Sequence, residues 1–390
     1  MSGGAAGGLV GNRETGDLGQ ILVGAGTGGG AGLGGRRGGT TVITLSVHTL
    51  KKLVPLTISR GTKTHSTVFW LRWTEEGVEG WGEMGPLAID ARPQTEEVLQ
   101  AAFAAAQGWL DGASAWDRLA IERRLLAEGA PSALVAGVNL ALYDWLGKRL
   151  GQPVWRLLGL SAEPGPLTSV TIGIAAPAAA AERARQWLAV GDVRAFKIKL
   201  GAPAGAAVDR AMFEAVQAVL PAGARVSVDA NGGWDLATAR AMASWLAERG
   251  VDHLEQPLAR GREAELGALH DGCPLPVIVD ESCRTSDELA RLAGVVDGVN
   301  IKLMKCGGID GALRIVATAR AHGLKILLGC YGHTALANTA AAQLGGLADY
   351  LDLDSHLNLA DDPFRGAELH EGRLRLGAGP GFGVVSVFST

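Results

Sequence analysis

Three acidic residues set the chemistry: Asp229, Glu255 and Asp280 stand 26 and 25 residues apart. Each interval is the length of one strand plus one helix in an alternating chain, so three successive strands end in one carboxylate apiece, at the same height. Like charges held that close are costly unless a cation neutralises them. An all-oxygen donor set suits a hard cation, Mg²⁺ first and Mn²⁺ second. Any one of these acids alone reads equally well as a helix cap or a surface group; the repeated spacing is what carries the metal site.

Lysines bracket this set. Lys197 and Lys199 lie two apart on a strand, so both face one way, into the mouth of the same assembly. Mutual repulsion and a nearby cation are expected to lower a lysine pKa towards that of a working base. Lys302 ends a later strand, roughly across from Lys199. Two bases on opposite sides of one carbon are what an inversion of configuration needs: one removes the proton and the other returns it. Lys305 competes with Lys302, but it abuts Gly307-Gly308 and is expected to leave the interior.

Asp352 and Asp354 repeat the two-apart spacing near the end of the chain. Two further anions there would repel a dianionic substrate and attract a substrate ammonium. Cys330, Tyr331 and His333 follow another strand-like run and are expected to line the pocket. Arg60 and Lys63 lie on an early hairpin and are candidates for a substrate side chain; a solvated surface charge is the competing role.

The elements that must hold these groups are legible. After Pro166, strand-like runs at 167–172, 195–199, 225–229, 253–255, 277–280, 298–302, 325–328 and 350–353 alternate with Ala-rich amphipathic segments. Eight strands with seven helices between them make a (β/α)7β variant of the TIM barrel, whose catalytic groups sit at the strand C-terminal ends. Ahead of it, strand-like runs at 42–47, 54–59, 68–74 and 78–83 predict an antiparallel meander. Helices are predicted at 95–109, capped by Thr95, and at 132–150, stopped by Gly151. The expected organisation is a Gly-rich disordered tail at 1–40, an α+β capping domain at 41–165 and the catalytic barrel at 166–360. A C-terminal segment at 361–390 is expected to return to the cap.

Composition narrows the classes. The 390 residues are 47% hydrophobic and 19% charged with a net charge of -4, which fits a globular protein. No basic run stands out to bind nucleic acid, and no apolar stretch is long enough to span a membrane. The four cysteines (Cys273, Cys283, Cys306 and Cys330) have no C-x-x-C pairing and are expected to be reduced thiols of a cytoplasmic protein. Residues 1–40 hold 17 glycines and lack the charged and apolar regions of a secretory signal.

Several motifs together carry a family resemblance. Phe196-Lys-Ile-Lys-Leu-Gly201, Val228-Asp-Ala-Asn-Gly-Gly-Trp234, Leu254-Glu-Gln-Pro257, Val279-Asp-Glu-Ser282 and Val299-Asn-Ile-Lys302 resemble the enolase superfamily, muconate-lactonising subgroup. Gly80-Trp-Gly-Glu83 and Ala141-Leu-Tyr-Asp-Trp-Leu-Gly147 resemble its capping domain. The resemblance implies metal ligands Asp229, Glu255 and Asp280 and acid/base lysines Lys199 and Lys302, with Lys197 contacting substrate. It implies abstraction of a proton α to a carboxylate through an enediolate stabilised by Mg²⁺. The Asp352/Asp354 pair resembles the dipeptide epimerases, where it binds the substrate ammonium. The expected activity is therefore inversion at the Cα of a dipeptide's C-terminal residue. N-acylamino acid racemase, o-succinylbenzoate synthase and muconate cycloisomerase are the alternatives. A mandelate-racemase-like base at His333 lacks its Asp partner and its Lys-x-His. Arg60 aligns with an arginine that pairs with the glutamate side chain in L-Ala-D/L-Glu epimerases. Related barrels often assemble into homo-oligomers, although no segment of the sequence reads as an interface.

Overall fold

A computed structural model describes residues 41–88 and 93–387. The tail expectation for 1–40 lies outside the described residues.

The chain opens with a three-stranded antiparallel sheet, β1 (Val42–Ile58), β2 (Gly61–Glu75) and β3 (Val78–Met84). The sequence predicts two strands where β1 is one. Its pairing with β2 slips between Lys51 and Leu56, around Pro55, which has no N–H to give to a ladder. The turn that the sequence puts near 50 is therefore an irregularity inside a long hairpin, and the real turn falls at Ser59-Arg60. Helices α1 (Glu96–Leu110), α2 (Arg118–Ala127) and α3 (Ser132–Leu150) complete this layer. Thr95 caps α1 by accepting from Val98 N, worth about 1 kcal/mol. Gly151 ends α3 in the left-handed region, at φ 63°, where a side chain would be strained. A Cβ on Gly82 would lie 2.0 Å from Gly137 O, so glycine is what lets β3 lie flat on α3. Helix α2 was not predicted from sequence.

After the short helix α4 (Val154–Leu157), eight parallel strands follow in unbroken spatial order. They are β4 (Ser169–Ile172), β5 (Ala195–Lys199), β6 (Arg225–Asp229), β7 (Leu254–Glu255), β8 (Val277–Val279), β9 (Gly298–Ile301), β10 (Lys325–Gly329) and β11 (Tyr350–Asp352). The bridge from Thr168 to Leu351 brings the two edges together, so the sheet is a nearly closed barrel, as the strand count predicts. Between the strands run α5 (Pro177–Val190), α6 (Ala206–Gln217), α7 (Leu236–Ala247), α8 (Leu266–His270), α9 (Ser286–Leu292), α10 (Leu303–Cys306), α11 (Ile309–Ala321) and α12 (Ala335–Ala342). The chain then returns to the first layer, where Phe382 N donates to Asp144 and Val154 N donates to Gly381 O. None of the described helices is long and apolar enough to cross a membrane.

Candidate active site

Ladder register places the chemistry. Lys199 pairs across with Asp229, and Asp229 with Glu255, so one row of the barrel carries a lysine and two carboxylates. Asp280 follows β8 directly. One oxygen from each of Asp229, Glu255 and Asp280 lies within 4.8 Å of the others, and all three residues are buried. Hard oxygen donors converging in this way fit a divalent cation such as Mg²⁺. Burial, and then the Glu255 carboxylate beside it, push the Asp229 carboxyl up to about 7. Burial also opposes charge on Glu255 and Asp280, but Lys197 together with Lys199 and Lys302 outweighs it at Glu255, and Lys302 and Lys305 outweigh it at Asp280. Both stay below the usual carboxylate range.

Neighbouring groups hold the triad in place. Asn300 donates to Glu255 Oε1 at 2.7 Å, and Asn231 N donates to Asp229 at 2.7 Å. The Gln256 side chain accepts from Asp280 N at 2.8 Å, tying one ligand strand to the next. Asn231 and Gln256 both have positive φ, 43° and 37°, immediately beyond the ligand-bearing strand ends. Such strain collects at functional sites. Both residues lie inside the quoted motifs, yet nothing in their spacing singles them out.

The lysines divide into two kinds. Lys199 donates to Asp229 at 2.5 Å and Lys302 to Asp280 at 2.7 Å, on opposite flanks of the triad. Lys302 also lies 4.6 Å from the ring centroid of Tyr331, whose buried hydroxyl has no hydrogen-bond partner among the described residues. Lys197 sits deeper, donating to Glu255 at 3.2 Å and to Asp352. The expected lowering of a lysine pKa involves a cation; with the protein's own groups alone the direction for Lys197 and Lys302 is the reverse. Burial does act to lower both, but nearby carboxylates, above all Asp352 for Lys197 and Asp280 for Lys302, hold them well above the ordinary value.

Lys305 also departs from expectation. It is buried, not outside the barrel, and donates to Asp280 Oδ1 and to the carbonyls of Asp280, Cys283 and Asn300. Four acceptors surround its three N–H groups, so it has none to offer a substrate. Helix α10 starts directly after Lys302 and turns Lys305 back under the Asp280 strand end.

The aspartate pair is divided too. Asp352 accepts from Ser169 Oγ at 2.7 Å and is neutralised by Lys197. Asp354 accepts from Thr171 N at 2.6 Å and lies 4.0 Å from Cys330 Sγ. Burial, followed by Asp352, pushes its carboxyl up to about 6. Arg60 reaches the site from the hairpin turn and is fastened there. It donates to Asn231 O at 3.0 Å and to Glu281 at 2.6 Å, and Ser59 Oγ donates to the same carbonyl. These residues line a cavity of about 350 Å³ with Gln256 and Arg260. His333 is buried and pushed down to about 3, which keeps it neutral. All four cysteines are free thiols.

Residues 40–159 match the family described as mandelate racemase / muconate lactonizing enzyme, N-terminal domain, and residues 179–386 match enolase C-terminal domain-like. The chain belongs to the enolase superfamily. A hydrophobic dipeptide epimerase of Roseobacter litoralis is 47% identical over 337 residues, covering 86% of this chain and 96% of that protein. Another, from a Flavobacteria bacterium, is 44% identical, covering 83% and 92%. Among solved structures, the dipeptide epimerase of Cytophaga hutchinsonii, complexed with Mg and D-Ala-L-Val, has a TM-score of 0.83. It is 26% identical, covering 89% of this chain and 95% of its own. Membership accounts for the architecture: a superfamily barrel with its cap, and the carboxylate triad at the strand ends.

Proposed function

We propose that this superfamily member is a Mg²⁺-dependent dipeptide epimerase of the cytoplasm, inverting the Cα of the C-terminal residue of a dipeptide. The observation that carries this is the placement of Lys199 and Lys302 on opposite flanks of one carboxylate triad, with Asp354 beyond it, two residues past the end of the eighth strand. A divalent cation held by Asp229, Glu255 and Asp280 would supply positive charge against the substrate carboxylate, making its α-proton more acidic.

The chain's own residues do the rest. One flanking lysine, in its neutral form, takes the α-proton, and the other, protonated, returns one to the opposite face. The raised pKa of Lys302 reflects the adjacent ligand carboxylate of Asp280, so neutralising that carboxylate frees the lysine to act as a base. Asp354 receives the α-ammonium of the first residue, because Asp352 is already paired with Lys197. The names of the two most similar relatives described above support the same substrate class.

A mass-spectrometric screen in deuterated water tests this across a dipeptide library with Mg²⁺. One deuterium is expected at the C-terminal Cα of turned-over peptides. Exchange into N-acylamino acids with none into any dipeptide would sink the proposal.

A further inference from the structure

Lys52 is a buried lysine that the reaction above does not use. Its residue is 5% exposed, and among the described residues its one hydrogen-bond partner is Ser66 Oγ, at 2.9 Å. An ammonium has three donors, and burial with one neutral acceptor leaves most of its hydration loss uncompensated. A buried charge with so little compensation from the protein is a candidate for contact with a ligand.

Its location is fixed from two sides. The Lys52 backbone bridges to Leu359, five residues past Asp354, and Asn358 makes two hydrogen bonds to Val54. The irregular stretch of β1 is thus stitched to the loop that carries Asp354. On the other side the ammonium stands over Gly332: a Cβ built there would lie 3.0 Å from Lys52 Nζ. Gly332 is two residues from Cys330, which touches Asp354. Lys52, Gly332, Cys330 and Asp354 therefore form one continuous wall, and the charge of Lys52 is felt at both Cys330 and Asp354.

We infer that Lys52 is a specificity-determining residue that sets the charge of the pocket for the first side chain of the dipeptide. This rests on the epimerase reading, in which Asp354 holds the α-ammonium. A first residue anchored there directs its side chain along the wall towards Lys52. A cationic side chain meets a fixed like charge in a water-poor pocket and is rejected; a neutral side chain is accepted.

Deuterium-exchange kinetics on L-Ala-, L-Leu- and L-Lys-led dipeptides with a common second residue test this, using the full chain with Mg²⁺. The wild type is expected to favour the neutral-led peptides over the Lys-led peptide by about tenfold or more in kcat/KM. Lys52→Met, close to isosteric, closes that gap, and Lys52→Arg preserves it. A gap that Lys52→Met leaves intact, or a wild type that accepts the Lys-led peptide equally, overturns the inference while the epimerase reading stands. No exchange with any dipeptide overturns both. A general rise in KM for all peptides in Lys52→Met, with the ratio unchanged, assigns Lys52 a purely structural role and also overturns it.

Discussion

Lys199 and Lys302 each donate to a different outer member of the triad, Asp229 and Asp280, so the two ammoniums stand on opposite flanks of one site. That arrangement separates the two half-reactions. Lys199→Met and Lys302→Met are each expected to lower epimerisation by about 10²–10⁴-fold. Each variant should still exchange the α-proton of the one epimer that faces the surviving lysine, in opposite senses for the two variants. Proton NMR in deuterated water with pure L,L and L,D peptides checks this. Identical residual exchange in both variants contradicts the assignment.

Asp354, two residues past the eighth strand, bonds no cation among the described residues. Asp354→Asn is expected to raise KM by about tenfold or more, the loss of one charge-assisted contact, while Mg²⁺ affinity stays within about twofold. Steady-state kinetics together with a calorimetric Mg²⁺ titration separate the two quantities.

Lys305 anchors the Asp280 strand end through four acceptors. Lys305→Met leaves a buried carboxylate with one partner fewer and is expected to cost about 3–5 kcal/mol of stability. Urea unfolding measures it. A variant that unfolds at the wild-type midpoint would show that these bonds contribute little.

Glu83 is fully buried, accepting from Trp70 Nε1 at 3.0 Å, Thr334 N at 2.9 Å and Thr334 Oγ1. Burial nonetheless pushes it up to about 7. A carboxyl whose folded pKa is raised binds more protons folded than unfolded, so it favours folding at low pH. That contribution is lost as pH rises from its unfolded value, near 4.5, through about 7. The loss is on the order of 3 kcal/mol at most. Glu83→Gln removes the titration, so its unfolding free energy is expected to vary less between pH 5 and pH 8. Parallel denaturation series on both proteins check the difference in slope.

On the proposed reading, a chelator would strip a cation that neutralises three buried carboxylates. Adding Mg²⁺ is expected to raise Tm as its concentration passes Kd, with Asp229→Asn blunting the rise. Thermal melts across a Mg²⁺ series, repeated with Mn²⁺, measure it.

The barrel and the triad were legible because strand period and spacing leave few alternatives: 26 and 25 residues fit one β/α unit each. Lys305 was misplaced because the Gly307-Gly308 turn hides a helical turn that carries its side chain back inwards. The two strands expected in place of β1 reflect Pro55, which breaks the alternation without breaking the hairpin. Helix α2 went unseen because its charged face obscures the buried Ile121 and Leu125. The roles of Glu83 and Gln256 depend on contacts 251 and 24 residues away, respectively, which no local pattern encodes.

The row shared by Lys199, Asp229 and Glu255 also bears on how this scaffold diversifies. A single residue inserted within β6 would turn Asp229 to the outer face and uncouple it from neighbours on both sides at once. Insertions in the connecting loops disturb no rung. Changes of loop length and cap sequence are therefore the ones this barrel can take up without disturbing the triad.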